Sequence, residues 1–175
     1  MPVRPERSFF EQDATIVAQE LIGKMLYRKT ASSTASYIIT EVEAYMGEED
    51  QASHARFGKT TRNAIMYAGG GHVYVYLIYG MYWMLNIVTG RANDPQAVLI
   101  RGVAGYDGPG IVGRLLSIDK SFYGEDLVKS SRLWLAHSNH QTYFVQTPRV
   151  GIDYAGEPWK SMPWRYIMVQ RLQNF

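Results

Sequence analysis

Ten consecutive residues, Tyr37 to Met46, commit two carboxylates to a β-strand. The run Y-I-I-T-E-V-E-A-Y-M is rich in β-branched and aromatic side chains, and a strand sends alternate residues to opposite faces. One face carries Ile38, Thr40, Val42, Ala44 and Met46 and is apolar enough to pack on a core. The other carries Tyr37, Ile39, Glu41, Glu43 and Tyr45, and a fold buries such carboxylates only if it supplies partners for them. Gly47 then ends the strand, and a short polar run leads to His54. An acid, an aromatic and an imidazole are thus offered from adjoining elements, which marks a candidate site.

The chain has 175 residues, 46% of them hydrophobic, enough for one sizeable core. Residues 1–175 are expected to form a single domain, with residues 1–7 as a flexible N-terminal tail. Asp13 can cap a helix whose apolar stripe is Ile16, Val17 and Leu21, with Gly23 as its stop. Strands are expected over 26–28 and 37–46, and a short helix or turn over 48–56. The run H-V-Y-V-Y-L-I-Y-G-M-Y-W-M-L-N-I-V-T reads as a hairpin of Val73–Ile78 and Met81–Thr89, bent at Gly80, with Tyr79 at or near its tip. A tip is the least buried part of a hairpin, so Tyr79 either folds back onto the sheet or meets a partner. Further strands are expected over 97–101, 134–135, 143–145 and 165–169, and a helix over 111–116. The pattern predicts an α+β domain with a curved, mainly antiparallel sheet, a protruding β-hairpin and surrounding helices.

Cysteine is absent, which removes disulfides, thiolate nucleophiles and cysteine zinc sites together. No apolar run is long enough to span a bilayer and the N-terminus lacks a signal-peptide core, so no membrane partner and an intracellular location are expected. The net charge of +2 says little, but residues 101–175 hold nine Lys and Arg against six Asp and Glu. That modest basic surface suits a nucleic-acid backbone and suits a solvated face equally well.

Glu41 and Glu43 lie about 7 Å apart along the strand, a pairing found in glycoside hydrolases and on ordinary exposed strand faces alike. Gly108 to Gly113 formally matches G-x-G-x-x-G, but no acid stands about twenty residues on and the flanks are not βαβ. It reads as a helix entrance whose free N–H groups could meet a phosphate, and no nucleotide cofactor is expected. His137 and His140 are three apart in a polar run with no carboxylate near them, so no metal site is expected.

Five ordered motifs carry a resemblance that spans Phe9 to about Tyr166. They are E-V-E-A-Y-M-G-E-E-D-Q-A-S-H, T-x-R-N at Thr60–Asn63, Y-V-Y-L-I-Y-G-M-Y-W-M-L-N at Tyr74–Asn86, A-V-L-I-R at Ala97–Arg101 and P-R-V-G-I at Pro148–Ile152. In these the chain resembles the alkyladenine DNA glycosylases, the 3-methyladenine DNA glycosylases of the mammalian type. The resemblance implies a monomer that acts on double-stranded DNA containing damaged purines, flips the damaged nucleotide into a pocket and hydrolyses its N-glycosidic bond. It matches Glu43 to the general base and Arg101 to the arginine that contacts the flipped nucleotide's phosphate and helps hold the water. Tyr45, His54 and Tyr76 match the residues that sandwich the flipped base, and Asn86 the asparagine that disfavours the 2-amino group of guanine. Tyr79 matches the side chain that intercalates into the gap. No metal or cofactor is implied, and the product is an abasic site.

The chain departs from the family pattern at Ile111, where a lysine is usual, at Gly113-Arg114, and at its C-terminus, which lacks a closing Gly-Asn-Pro segment. Two readings from other classes stand beside this one. A base-stacking nucleic-acid-binding module would share the aromatics but not need Glu43, and a small glycoside hydrolase would need Glu41 as much as Glu43 and give Tyr79 no role.

Overall fold

The computed structural model describes residues 3–138 and 142–169. Helices α1 (Arg7–Phe10) and α2 (Ala14–Leu21) lead into strands β1 (Met25–Lys29) and β2 (Thr34–Tyr45). A loop with a 3₁₀ turn over Ala64–Ala68 precedes the hairpin of β3 (Val73–Ile78) and β4 (Tyr82–Thr89). Strands β5 (Gln96–Val103) and β6 (Tyr106–Asp107), helix α3 (Pro109–Leu115) and strands β7 (Leu133–Ala136), β8 (Tyr143–Thr147) and β9 (Arg165–Val169) complete the order. All strand pairings are antiparallel. The sheet runs β3-β4-β5-β2-β1-β7, with β9 beside β2 and β8 beside β9. This curled antiparallel sheet with few helices is the α+β architecture expected from the sequence.

β2 is the hub. Its first half pairs with β1, and its second half lies between β5 and β9, where Glu43 is opposite Leu99 on one side and Arg165 on the other. The β2–β5 ladder is irregular where Glu41 meets Gly102. Core-facing residues there step by three instead of two on both strands, from Ile39 to Val42 and from Ile100 to Val103. Strict alternation put Ile39 on the face of Glu41 and Glu43, and the irregularity sends it into the core instead.

The larger core gathers Ala14, Val17, Ala18 and Leu21 of α2 against Val42 and Ala44 of β2 and Val98 and Ile100 of β5. Ile16, expected in that stripe, is 44% exposed. Asp13 caps α2 as expected, accepting the Thr15 N–H at 2.9 Å. The opposite sheet face carries a smaller cluster of Ala55, Met66, Tyr67, Tyr74, Val88 and Ala97. Polar residues meet beside that second cluster.

Near the N-terminus, Arg4 donates to the Ser130 carbonyl at 2.7 Å, and Arg7 pairs with Asp126 at 2.6 Å. The Gly108–Gly113 run is the helix entrance expected from the sequence, with Pro109 opening α3, and Gly110 and Gly113 also serve close packing. A Cβ on Gly113 would lie 2.0 Å from the Trp83 carbonyl oxygen, and one on Gly110 2.9 Å from the Tyr82 ring, so α3 rests directly on β4. No helix among the described residues is long and apolar enough to cross a membrane.

Gly113→Ala forces that helix off the strand. The expected cost is about 1–3 kcal/mol of stability in urea denaturation, and an unchanged midpoint would mean that α3 does not pack as described.

Candidate active site

The strand pattern places Glu43 on the face opposite Val42 and Ala44 of the larger core, and the residue is 0% exposed. Its carboxylate has three partners. Oε2 accepts the Tyr45 hydroxyl at 2.8 Å, Oε1 accepts the Val150 N–H at 2.7 Å, and Arg101 Nε stands 3.5 Å from Oε1. Burial raises the Glu43 pKa above the ordinary carboxylate range, against the opposing pull of Arg101, the two hydrogen bonds and Arg149. Burial and the adjacent carboxylate also hold the Tyr45 pKa far above that of a free phenol, so Tyr45 is a fixed neutral donor.

Glu41, the other half of the carboxylate pair, has a different environment. Its Oε1 accepts from Arg101 Nε at 2.9 Å and from Arg165 Nε at 2.6 Å. It is an anchor that holds Arg101 between the two glutamates.

A cavity of about 550 Å³ opens beside Glu43, lined among others by Tyr45, His54, Tyr76, Asn86, Leu99 and Arg101. The structure therefore brings together all six residues singled out from the sequence for catalysis and base binding. The His54 and Tyr76 rings meet with centroids 4.4 Å apart, and His54 Nδ1 lies 2.8 Å from the Tyr74 hydroxyl. Burial, with Arg62 and Arg56 nearby, lowers the His54 pKa to about 4, and burial pushes that of Tyr76 up to about 12. At neutral pH both rings are uncharged, which suits stacking against a flat ligand. Asn86 is buried, with Nδ2 donating to the Tyr74 carbonyl at 3.2 Å.

Tyr79 also borders the cavity, at the hairpin tip, and is 86% exposed. The tip is tight. Tyr79 and Gly80 have φ of 53° and 67°, and the Met81 N–H closes on the Ile78 carbonyl at 3.1 Å. Left-handed backbone costs a residue with a Cβ roughly 1–2 kcal/mol. An aromatic held there without burial is not a packing choice.

Several residues of the site were not singled out from the sequence. In the sequence Asp50 stands out only as part of the motif E-V-E-A-Y-M-G-E-E-D-Q-A-S-H, and Arg149 only as part of P-R-V-G-I. Both are buried, and Arg149 grips Asp50 at 2.5 and 2.9 Å while donating to the Ala44 carbonyl at 3.0 Å. The Arg149 guanidinium lies 4.8 Å from the Tyr45 ring and 5.0 Å from that of Trp164. Its neighbour Val150 supplies the N–H on Glu43. Residues 48–56 form turns around Asp50 instead of a short helix, because Asp50 accepts the N–H groups of Met46 and Ala52. Ile111 borders the cavity mouth, and Arg114 lies 5.3 Å over the Tyr82 ring. His137 Nδ1 is 3.2 Å from Lys24 Nζ. His140 and the closing segment 170–175 lie outside the described residues.

Comparison with known proteins gives a consistent result. The family model of methylpurine-DNA glycosylase matches residues 8–107 and 103–171. Relatives from Desulfitobacterium hafniense (39% identical, covering 93% of each chain) and Borreliella burgdorferi (41%, covering 92% of this chain and 94% of the relative) carry the provisional name 3-methyladenine DNA glycosylase. So does one from Wolbachia pipientis, 43% identical over 91% of this chain and 88% of its own.

The half-buried imidazole has a consequence for stability. The native state holds His54 near pKa 4 against an ordinary 6.5, so its contribution is present above pH 6.5 and lost as pH falls toward 4. Roughly 2–3 kcal/mol should be lost over that window in urea titrations, and the loss should shrink in His54→Gln. An equal loss in the variant would place the effect elsewhere.

Proposed function

The chain belongs to the methylpurine-DNA glycosylase family, and on that premise we propose that it excises alkylated or deaminated purines from duplex DNA, leaving an abasic site. The observation that carries this reading is a fully buried carboxylate in the wall of a cavity that it shares with Arg101 and with the uncharged rings of Tyr45, His54 and Tyr76.

In the proposed reaction the damaged nucleotide leaves the duplex and enters the cavity between Tyr45 on one side and His54 and Tyr76 on the other. Extrusion costs a few kcal/mol, and Tyr79 offsets part of that cost by filling the gap from the hairpin tip. Glu43 takes a proton from water as the water oxygen bonds to C1′. The C1′–N9 bond breaks with its electron pair passing to the base. The carboxylate also stabilises the oxocarbenium-like charge that develops on the sugar. Arg101, fixed by Glu41, reaches the nucleotide's phosphate and orients the water. The cavity lining contains no lysine among the described residues, which supports attack by water and an abasic product without strand cleavage.

Burial also bears on the substrate. A neutral purine needs a proton as it departs, whereas a 3-alkylated purine already carries positive charge and leaves neutral. His54 is unprotonated at neutral pH and the phenols are far from titrating, so none of these three rings is a ready acid. Cationic lesions should therefore be released faster than hypoxanthine. Asn86, buried at the cavity wall, disfavours the 2-amino group of an undamaged guanine.

The test uses duplexes carrying one damaged purine, with alkali to cut any abasic site. Cleavage should occur only after alkali and only with the wild type, while Glu43→Gln keeps its affinity for the lesion. Lesion binding without release by the wild type would favour a stacking module instead. Tyr79→Ser should weaken lesion-duplex binding by about 1–3 kcal/mol and suppress the 2-aminopurine signal of an extruded base; an unchanged signal would remove the wedge from the account.

A further inference from the structure

Phe57 is the second highly exposed aromatic near the cavity after Tyr79, at 81% accessible. It belongs to neither apolar cluster of the fold. The Arg56 guanidinium lies 4.5 Å over its ring and 5.3 Å from the ring of Tyr154, a residue that lines the cavity. Phe57 and Tyr154 thus share one guanidinium at the cavity's edge. The Tyr154 hydroxyl donates to the Ala52 carbonyl at 3.0 Å, which fixes that side of the stack.

The loop that displays Phe57 is held, not loose. The buried amide of Asn63 donates to the His54 carbonyl at 2.9 Å and to the Gly58 carbonyl at 3.0 Å, and accepts the Thr60 N–H at 2.6 Å. One side chain therefore ties the residue after Phe57 to the histidine of the cavity wall. Such preorganisation lowers the entropy lost on binding.

The charges around Phe57 restrict what it can bind. Residues 51–93, which hold this loop and the whole hairpin, contain Arg56, Lys59, Arg62 and Arg91 and not one carboxylate. Among the described residues no ion pair joins Arg56, Lys59 or Arg62 to an acid. A flat apolar ring beside uncompensated cations fits a ligand that alternates flat apolar faces with negative charge, which is the chemistry of an unpaired nucleotide.

We propose that Phe57, backed by Arg56 and Tyr154, is a second stacking platform that receives a nucleobase displaced from the duplex next to the purine in the cavity. The proposal rests on the DNA glycosylase reading above. The two aromatics divide the work. Tyr79 fills the space the extruded base leaves, and Phe57 holds a neighbouring base that the distortion has unstacked. Arg56, Lys59 and Arg62 face the phosphates on either side of it.

The experiment uses full-length wild type, Phe57→Ser and Phe57→Trp with a duplex bearing one hypoxanthine and 2-aminopurine at each neighbouring position in turn. Phe57 packs in no core, so Phe57→Ser should stay folded, with an unchanged melting temperature. The wild type should alter the fluorescence of one neighbouring 2-aminopurine, and Phe57→Ser should abolish that change and raise Kd about 5-fold or more. Phe57→Trp should restore both, and single-turnover base release at saturating protein should stay within about 2-fold throughout. Equal affinity and fluorescence for wild type and Phe57→Ser would overturn the platform while leaving the glycosylase reading intact. Failure of Phe57→Trp to restore binding would overturn it too. A wild type that neither binds nor releases a damaged purine would remove the glycosylase reading, and the platform with it.

Discussion

A carboxylate buried on a strand is the constraint around which this sheet is arranged. Removing Glu43 from water is unfavourable enough to raise its pKa despite a guanidinium, a phenol and a backbone N–H directed at it. Each partner comes from a different place in the chain. Tyr45 lies two residues on along β2, Arg101 comes from β5, and the Val150 N–H from the loop before β9. Those positions require β2 to be a central strand. They also require the irregular pairing at Glu41 and Gly102, where a Cβ on Gly102 would approach the Glu41 Cβ to 3.1 Å. Glu41, Glu43, Leu99 and Arg101 then serve the cavity, while Ile39 and Val103 turn back to the core.

The surroundings of Glu43 are ordered by a second buried charge. Arg149 and Asp50 pair without access to water, an arrangement whose removal of one partner typically costs about 3–5 kcal/mol. The pair joins the end of β2, through the Ala44 carbonyl, to the turns that lead to His54. It also sets the guanidinium against the face of Tyr45 turned toward Trp164. Two carboxylates seven residues apart are thus divided by environment: Asp50 is matched by a bidentate arginine, and Glu43 is left less compensated. The less compensated one faces the cavity. In the proposed reaction that difference keeps its basicity above that of an ordinary glutamate, as a general base near neutral pH requires.

Much of this was legible in the sequence where the signal is local. Alternation along 37–46 and the β-branched hairpin put Glu43, Tyr45, Tyr76 and Asn86 on strands, and Gly80 put Tyr79 at a tip; the structure has each of them there. What escaped depends on distant partners. Nothing within ten residues of Arg149 indicates that it will stack on Tyr45 and grip Asp50. Ile39 was assigned to the wrong face because a ladder irregularity is a property of two strands, not of one. The run 108–113 is the helix entrance its Gly-Pro pattern indicates, but that Gly110 and Gly113 make room for β4 depends on a strand more than twenty residues earlier. The contacts of Arg4 and Arg7 are of the same kind, since their partners Ser130, Gly70 and Asp126 lie more than sixty residues away.

The measurement that bears most directly on this account is the pH dependence of single-turnover base release by the wild type and by Arg101→Gln. In the proposed reaction Glu43 acts deprotonated, so the rate should rise with pH along one acidic limb whose midpoint lies above the ordinary carboxylate range. Arg101 lowers the Glu43 pKa, so removing its charge should move that limb to higher pH as well as slowing release. A limb at the ordinary carboxylate value, or one that stays in place without Arg101, would contradict the claim that a burial-tuned Glu43 is the base.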